Sequence, residues 1–310
     1  MVHILMATYN GEKYLKEQLL SIENQSYTEW KLYIRDDGSS DNTMTLLNDF
    51  RQCHPSKVFI LDGFSSRNLG AKANFARLFA SVNEKGDYAF CDQDDVWQRD
   101  KLEKLVTKLR SIEQSDEGLI PCMVCSDARV IDEDGHLLHG SFVEQSRLSV
   151  PESHLFERLL QYNFAQGTSM LWNYELYRII DRIPEDAIMH DWWIALVAAG
   201  HGRIGYIPEQ LLSYRQHAGN VLGEFNRRQW HKSIFAKIGI KNWKKLIDNN
   251  RDMKEERILQ AVMYEQIYSD RLSDRYIEIM NMRRIPRAYH AIKEGYIFLS
   301  KMYSVKYYLL

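Results

Sequence analysis

No run of 18 apolar residues occurs in the 310-residue chain, and a membrane-crossing helix needs about 20. The N-terminus, MVHILMATYN, has too short an apolar part and too little charge for a secretory signal. A cytoplasmic protein is expected. Cysteine is scarce too, with four in the chain and a single CxxC at Cys122 and Cys125. A structural zinc site would need a second pair, and the run 121–126 reads as a buried strand, so core thiols are expected. The Gly-rich, basic loop that a sugar-nucleotide-forming nucleotidyltransferase ordinarily carries after its first strand is also missing. TYNGEKYL stands there instead. No recognised nucleic-acid-binding motif accompanies the basic residues, which argues against a nucleic-acid partner.

What is present is an ordinary globular composition, 45% hydrophobic and 26% charged. The length suits one large domain, or a domain with an extension. The net charge of −2 conceals an asymmetry, because residues 226–310 carry +9 and the remainder −11. The two regions are electrostatically different objects.

The chain is organised around YAFCDQDDVW, residues 88–97. Four strand-favouring residues run into Asp92, Asp94 and Asp95, and a helical pattern begins soon after, at Gln98. Clustered acids at the mouth of a buried strand raise one another's pKa and cost stability unless a cation relieves them. Mg²⁺ or Mn²⁺ suits such hard oxygen ligands and leaves positions for substrate phosphates. The plainer reading is that the acids cap the next helix.

Similar units recur along the first 110 residues. Val2–Ala7 reads as a strand, followed by Thr8, Tyr9 and the turn signal Asn10-Gly11, then a helix. Tyr9 could stack on a base or pack in the core. The strand 31–35 leads into Asp36, Asp37 and a serine-rich turn, where a carboxylate could accept a pyrimidine imide N–H or merely hold the turn. A short strand at 58–61 leads to Asn68-Leu69-Gly70 and a helix carrying Asn74. Four strand-then-helix units make an α/β doubly wound sheet the economical architecture. VIDEDGHLLHG, residues 130–140, reads as an inserted hairpin. Gly200–Gly205 matches GxGxxG, but it ends a helix rather than opening one, so it reads as a C-cap and turn.

The set MATYNGEKYL, IRDDGSSDNT, NLGAKANF and FCDQDDVW, in that order, resembles the family 2 glycosyltransferases, and most of all their bacterial rhamnosyltransferase-like members. The resemblance implies a GT-A fold, a Rossmann-like, doubly wound, mostly parallel sheet, over residues 1–225. Within it the nucleotide-sugar part would span about 1–120 and the acceptor part about 121–225, with a helical extension at 226–310. It also implies that Thr8, Tyr9 and Asn10 border the nucleotide, that Asp37 contacts the pyrimidine, and that Asn74 belongs to the same nucleotide-sugar site. Asp92 would lie near the ribose or sugar and Asp94 would ligate Mn²⁺ or Mg²⁺. His217 would complete the metal site, and Arg215 would touch diphosphate. Gly167 and Thr168 would lie near the transferred sugar.

Asp191, in Met189-His190-Asp191-Trp192-Trp193, corresponds to the family's general base. Read from its residues alone, it is either a helix N-cap or a base whose pKa is raised by indoles that exclude water and offer a sugar-stacking surface, Trp192 and Trp193.

The expected activity is inverting, metal-dependent transfer from a dTDP- or UDP-sugar, L-rhamnose first, to a lipid-linked glycan of cell wall, capsule or exopolysaccharide. The alternatives are a UDP-hexose-dependent transferase of the same fold and a catalytically silent glycan- or membrane-binding scaffold. From Phe225 onward basic residues alternate with aromatics, which suits peripheral contact with the inner face of the membrane, packing on a second subunit in a homodimer, or packing on the catalytic domain.

Overall fold

The computed structural model describes residues 1–61, 68–113, 119–217, 240–294 and 296; side chains are described within these except at 240–253 and 284–285. The expected basic–aromatic segment 225–239 and the tail 297–310 lie outside the described residues. The chain divides into two compact units, 1–146 with 165–215, and 147–164 with 216–310.

The first unit is built on one mixed sheet. Its opening is the expected repeat: β1 (Val2–Thr8), α1 (Leu15–Glu23), β2 (Trp30–Asp36), α2 (Thr43–Cys53), β3 (Val58–Ile60), α3 (Ala71–Ser81) and β4 (Asp87–Cys91). β1 lies between β2 and β4 and runs parallel to both, from Val2 opposite Trp30 and Asp87 to Met6 opposite Ile34 and Cys91. All five residues of β4 are buried, as a strand covered on both faces requires. Parallel register brings the carboxyl ends of these strands to a single rim. Thr8, Asp36 and Cys91 end their strands there, so the loops that follow share that edge.

The acidic loop does not pass straight into a helix. Val96–Trp97 first forms a short strand, β5, before α4 (Lys101–Glu113). β5 pairs antiparallel with the last strand of the sheet, Trp97 opposite Leu212. Burying Trp97 in this way outweighs an earlier helix start, because an aromatic side chain removes a large apolar area from water.

Next come β6 (Cys122–Ile131), β7 (Leu137–His139), α5 (Phe142–Gln145), a 3₁₀ turn (Gly167–Ser169), β8 (Met170–Trp172), α7 (Tyr174–Ile180), α8 (His190–His201) and β9 (Arg203–Arg215). Among the described residues the strand order is β3-β2-β1-β4-β8-β6-β9-β5, with β7 hairpinned onto β6. The 200–205 segment is the end of α8 and the start of β9, as its helix-then-strand context requires. Cys91, Cys122 and Cys125 are buried free thiols.

The second unit is helical. α6 (Leu155–Leu159) belongs to it, with α9 (Ile240–Tyr268), α10 (Asp274–Asn281) and α11 (Arg284–Lys293). Ala261, Tyr264, Ile279, Met280 and Ala291 are buried in it, and the Arg275 guanidinium joins α10 to the end of α11 through Glu294, at 2.7 and 2.5 Å. No described helix is long and apolar enough to cross a membrane.

Candidate active site

The rim begins with the loop after β1. The Thr8 hydroxyl donates to Asp36 Oδ1 at 2.8 Å, and Asp36 Oδ2 accepts the amides of Gly38 and Ser39 at 3.0 and 2.7 Å. Asn10 adopts a left-handed backbone, φ 46°, in which its side chain accepts the Ser40 amide at 2.8 Å. Tyr9 is held by its backbone. Its amide donates to Gln93 Oε1 and its carbonyl accepts from Gln93 Nε2, both at 2.9 Å, so the middle residue of Asp92-Gln93-Asp94 mimics a strand partner. The Tyr9 ring is 45% exposed and free to stack.

Asp37 and Asn74 are buried. Asp37 Oδ1 accepts Arg35 Nη1 at 2.9 Å, and Oδ2 accepts the amides of Leu69 and Gly70 at 2.7 and 2.9 Å. Asn74 Oδ1 takes a second bond from the same Arg35 nitrogen at 2.7 Å. The network ties the end of β2 to the turn that opens α3.

At the end of β4 the acids are crowded. Asp95 is fully buried, and its Oδ1 accepts the Arg215 amide at 3.1 Å. It is therefore not a cap for α4, which starts six residues on. Burial, and then the Asp94 charge, pushes Asp95 up to about 7. Asp92 is raised well above the usual carboxylate range by burial and by the charges of Asp95, Asp94 and Asp191, while Lys101 acts in the opposite direction. Asp191 thus lies within electrostatic reach of the acidic loop. Its Oδ2 accepts the Gly167 amide at 3.0 Å and its Oδ1 the Trp192 amide at 2.7 Å. Burial pushes Asp191 up to about 6, against the pull of those two amides.

The donor set suits a divalent ion. It offers several hard carboxylate oxygens that repel one another when ionised, and Asp95 Oδ2 is buried without an aligned hydrogen bond. Among the described residues the trio that brings ligand atoms within 4.8 Å of one another is a different one, Asp132, Asp134 and His136. That trio is the tip of the β6–β7 hairpin, where Asp132 Oδ1 accepts the amides of Asp134 and His136, so turn geometry accounts for it.

The Glycosyl transferase family 2 profile matches residues 3–117, which span the rim and the acidic loop. A Shigella flexneri protein named dTDP-rhamnosyl transferase RfbG is 30% identical over 256 residues, covering 75% of this chain and 83% of its own length. This chain belongs to glycosyl transferase family 2. Solved structures share its GT-A fold. S. aureus TarS 1-349 in complex with UDP-GlcNAc superposes with a TM-score of 0.57 at 17% identity, over 90% of this chain and 70% of that one. Mannosyltransferase PcManGT from Pyrobaculum calidifontis, in complex with GDP-Man and Mn²⁺, gives 0.51 at 15% identity, over 99% and 84%.

In this family 2 glycosyltransferase several expected residues have roles that the sequence did not disclose. Trp193 is fully buried, so its ring offers no stacking face, and only Trp192, partly exposed, can do so. Arg215 is 2% exposed. Its Nε donates to the Asp94 carbonyl at 2.9 Å and its Nη2 to Glu17 at 2.5 Å, so it clamps the acidic loop from behind. His190 stacks on Phe75 with ring centroids 4.2 Å apart, and burial lowers it to about 3, which keeps it neutral. Gly167 approaches α8 closely: a Cβ there would stand 3.2 Å from Asp191 Cβ and 3.3 Å from His190 Nε2, so a side chain would press on both by a few tenths of an ångström. His217, two residues past β9, falls in the second unit and is partly exposed.

Sequence reasoning missed Gln93, Arg35 and Lys101. Lys101 did leave a signal, because a lysine in the first turn of a helix opposes the macrodipole.

Proposed function

We propose that this glycosyltransferase moves a sugar from a nucleoside-diphosphate donor to an acceptor hydroxyl by one displacement that inverts the anomeric centre. The observation that carries the reading is the pairing of Asp191 with the acidic loop. A partly exposed carboxylate, raised to about 6, lies within electrostatic reach of Asp92 at the end of β4.

Tyr9 stacks on the base, and Thr8, Asn10, Asp37 and Asn74 border it, the latter two by bracing the Leu69–Gly70 turn. Asp92 lies towards the ribose or sugar. Asp94 would hold Mn²⁺ or Mg²⁺, which when bound offsets charge on the departing diphosphate. Arg215 keeps Asp94 in place. Asp191 removes the acceptor proton as the oxygen attacks C1 from the face opposite the diphosphate. Gly167 and Thr168 line the sugar side, and Trp192 offers it an apolar face.

L-Rhamnose from dTDP-rhamnose is the proposed donor, supported by similarity to the Shigella flexneri relative. A UDP-hexose is the second reading, because uracil and thymine present the same imide edge and the TarS neighbour is in complex with UDP-GlcNAc. The proposed acceptor is a lipid-linked precursor of a cell-surface polysaccharide, met in the cytoplasm or at the inner face of the membrane. Hydrolysis of dTDP-rhamnose and UDP-hexoses with Mn²⁺ tests the function. Release of the inverted sugar from one of them is expected, and no turnover of any would sink the reading.

A further inference from the structure

We propose that Lys101 is a positioning residue for the base: its buried ammonium holds the Thr168 carbonyl and so fixes the turn whose Gly167 amide orients Asp191. The inference rests on the reading of Asp191 as the base. Lys101 opens α4, yet its side chain is entirely buried. Nζ donates to Thr168 O at 2.6 Å and lies 3.3 Å from the centroid of the Trp97 ring. The next residue back, Gly167, gives its amide to Asp191 Oδ2. A three-residue 3₁₀ turn therefore has a cation on one side and the base on the other.

The turn's own bonds are Ser169 N to Gln166 O at 2.9 Å, Ser169 Oγ to the same carbonyl at 2.8 Å, and the Met170 N–H to the Gly167 carbonyl. The Gly167 N–H shares a planar peptide unit with the Gln166 carbonyl, so these bonds set its direction within the turn, and the position of the turn itself is left to contacts from outside it. Lys101 Nζ, held between an indole face and the Thr168 carbonyl in dry surroundings, supplies such a contact and anchors the turn from the side of α4. An apolar side chain in this space would be easier to bury, since desolvating an ammonium costs several kcal/mol. Burial lowers Lys101 to about 7, against the pull of Cys91, Asp95 and Asp92, and the amino group can donate to the carbonyl in either protonation state.

Lys101→Met keeps the apolar stem and removes charge and donors. It is expected to fold, to bind UDP and dTDP with Mn²⁺ within about 3-fold of wild type, and to lose roughly 10- to 10²-fold in kcat at nearly unchanged KM. The assay uses whichever of dTDP-rhamnose, UDP-glucose and UDP-N-acetylglucosamine is hydrolysed fastest. Amide hydrogen exchange across residues 165–172 should quicken, a readout independent of turnover. Lys101→Gln, a shorter neutral donor, should restore only part of both. Wild-type kcat with wild-type exchange in either variant overturns the inference. Adding Lys101→Met to Asp191→Asn should lower turnover no further, and losses that multiply overturn it as well. Near-normal turnover of Asp191→Asn alone removes the base reading instead, and exchange at 165–172 then decides whether the brace exists.

Discussion

Gly167 and Asp191, 24 residues apart, meet through one hydrogen bond of 3.0 Å from amide to Oδ2. The bond aims a carboxylate raised to about 6 without neutralising it. It stabilises the ionised form, which is the form a base must have, while burial opposes ionisation. The proposed base is thus ionised at neutral pH but only moderately favoured in that state.

Asp191→Asn should lower turnover by roughly 10²-fold or more, with binding of UDP or dTDP nearly intact by calorimetry. In the wild type kcat should rise with pH through about 6 and level off above it. Stability runs the other way. The folded pKa lies above the unfolded value of 3.8, so this group's contribution is fully present below 3.8 and is lost as pH rises through about 6. Asn sets an NH2 against one of the two donating amides at every pH, so the melting temperature of Asp191→Asn relative to wild type should rise as pH rises through about 6, and a difference that does not move with pH would contradict the burial argument.

Asp94→Ala should abolish Mn²⁺-dependent nucleotide binding. Titrating UDP or dTDP with and without EDTA gives the comparison, and wild-type affinity in the variant would move the metal site elsewhere.

Gly11→Ala tests the rim. A Cβ there would stand 2.3 Å from Gln93 Oε1, so Gln93 must release Tyr9. Losing one such hydrogen bond pair, about 1 kcal/mol, should weaken nucleoside-diphosphate binding roughly 5-fold or more. Gln93→Ala should match it, and unchanged affinity in both would separate Tyr9 from the nucleotide.

The two tryptophans should part company. Trp193→Ala removes a fully buried ring and should destabilise the fold by about 3–5 kcal/mol. Trp192→Ala, at a partly exposed position, should leave the melting temperature nearly unchanged and raise KM. Equal effects on melting would contradict the burial difference.

The alternation of apolar strands and helical periods determined the sheet's first half, and the acids after β4 mark a candidate site because repulsion at a buried strand end favours a partner. Asp191 stood out as a candidate for a different reason, the water-excluding indoles beside it in the sequence. Which tryptophan faces solvent, and that Arg215 clamps Asp94 instead of facing outward, depended on tertiary packing: burial is set by residues distant in sequence. Lys101 shows the limit most clearly. Its partner, the Thr168 carbonyl, is a backbone group 67 residues away, and every residue carries such a carbonyl, so no pattern of side chains could have announced it.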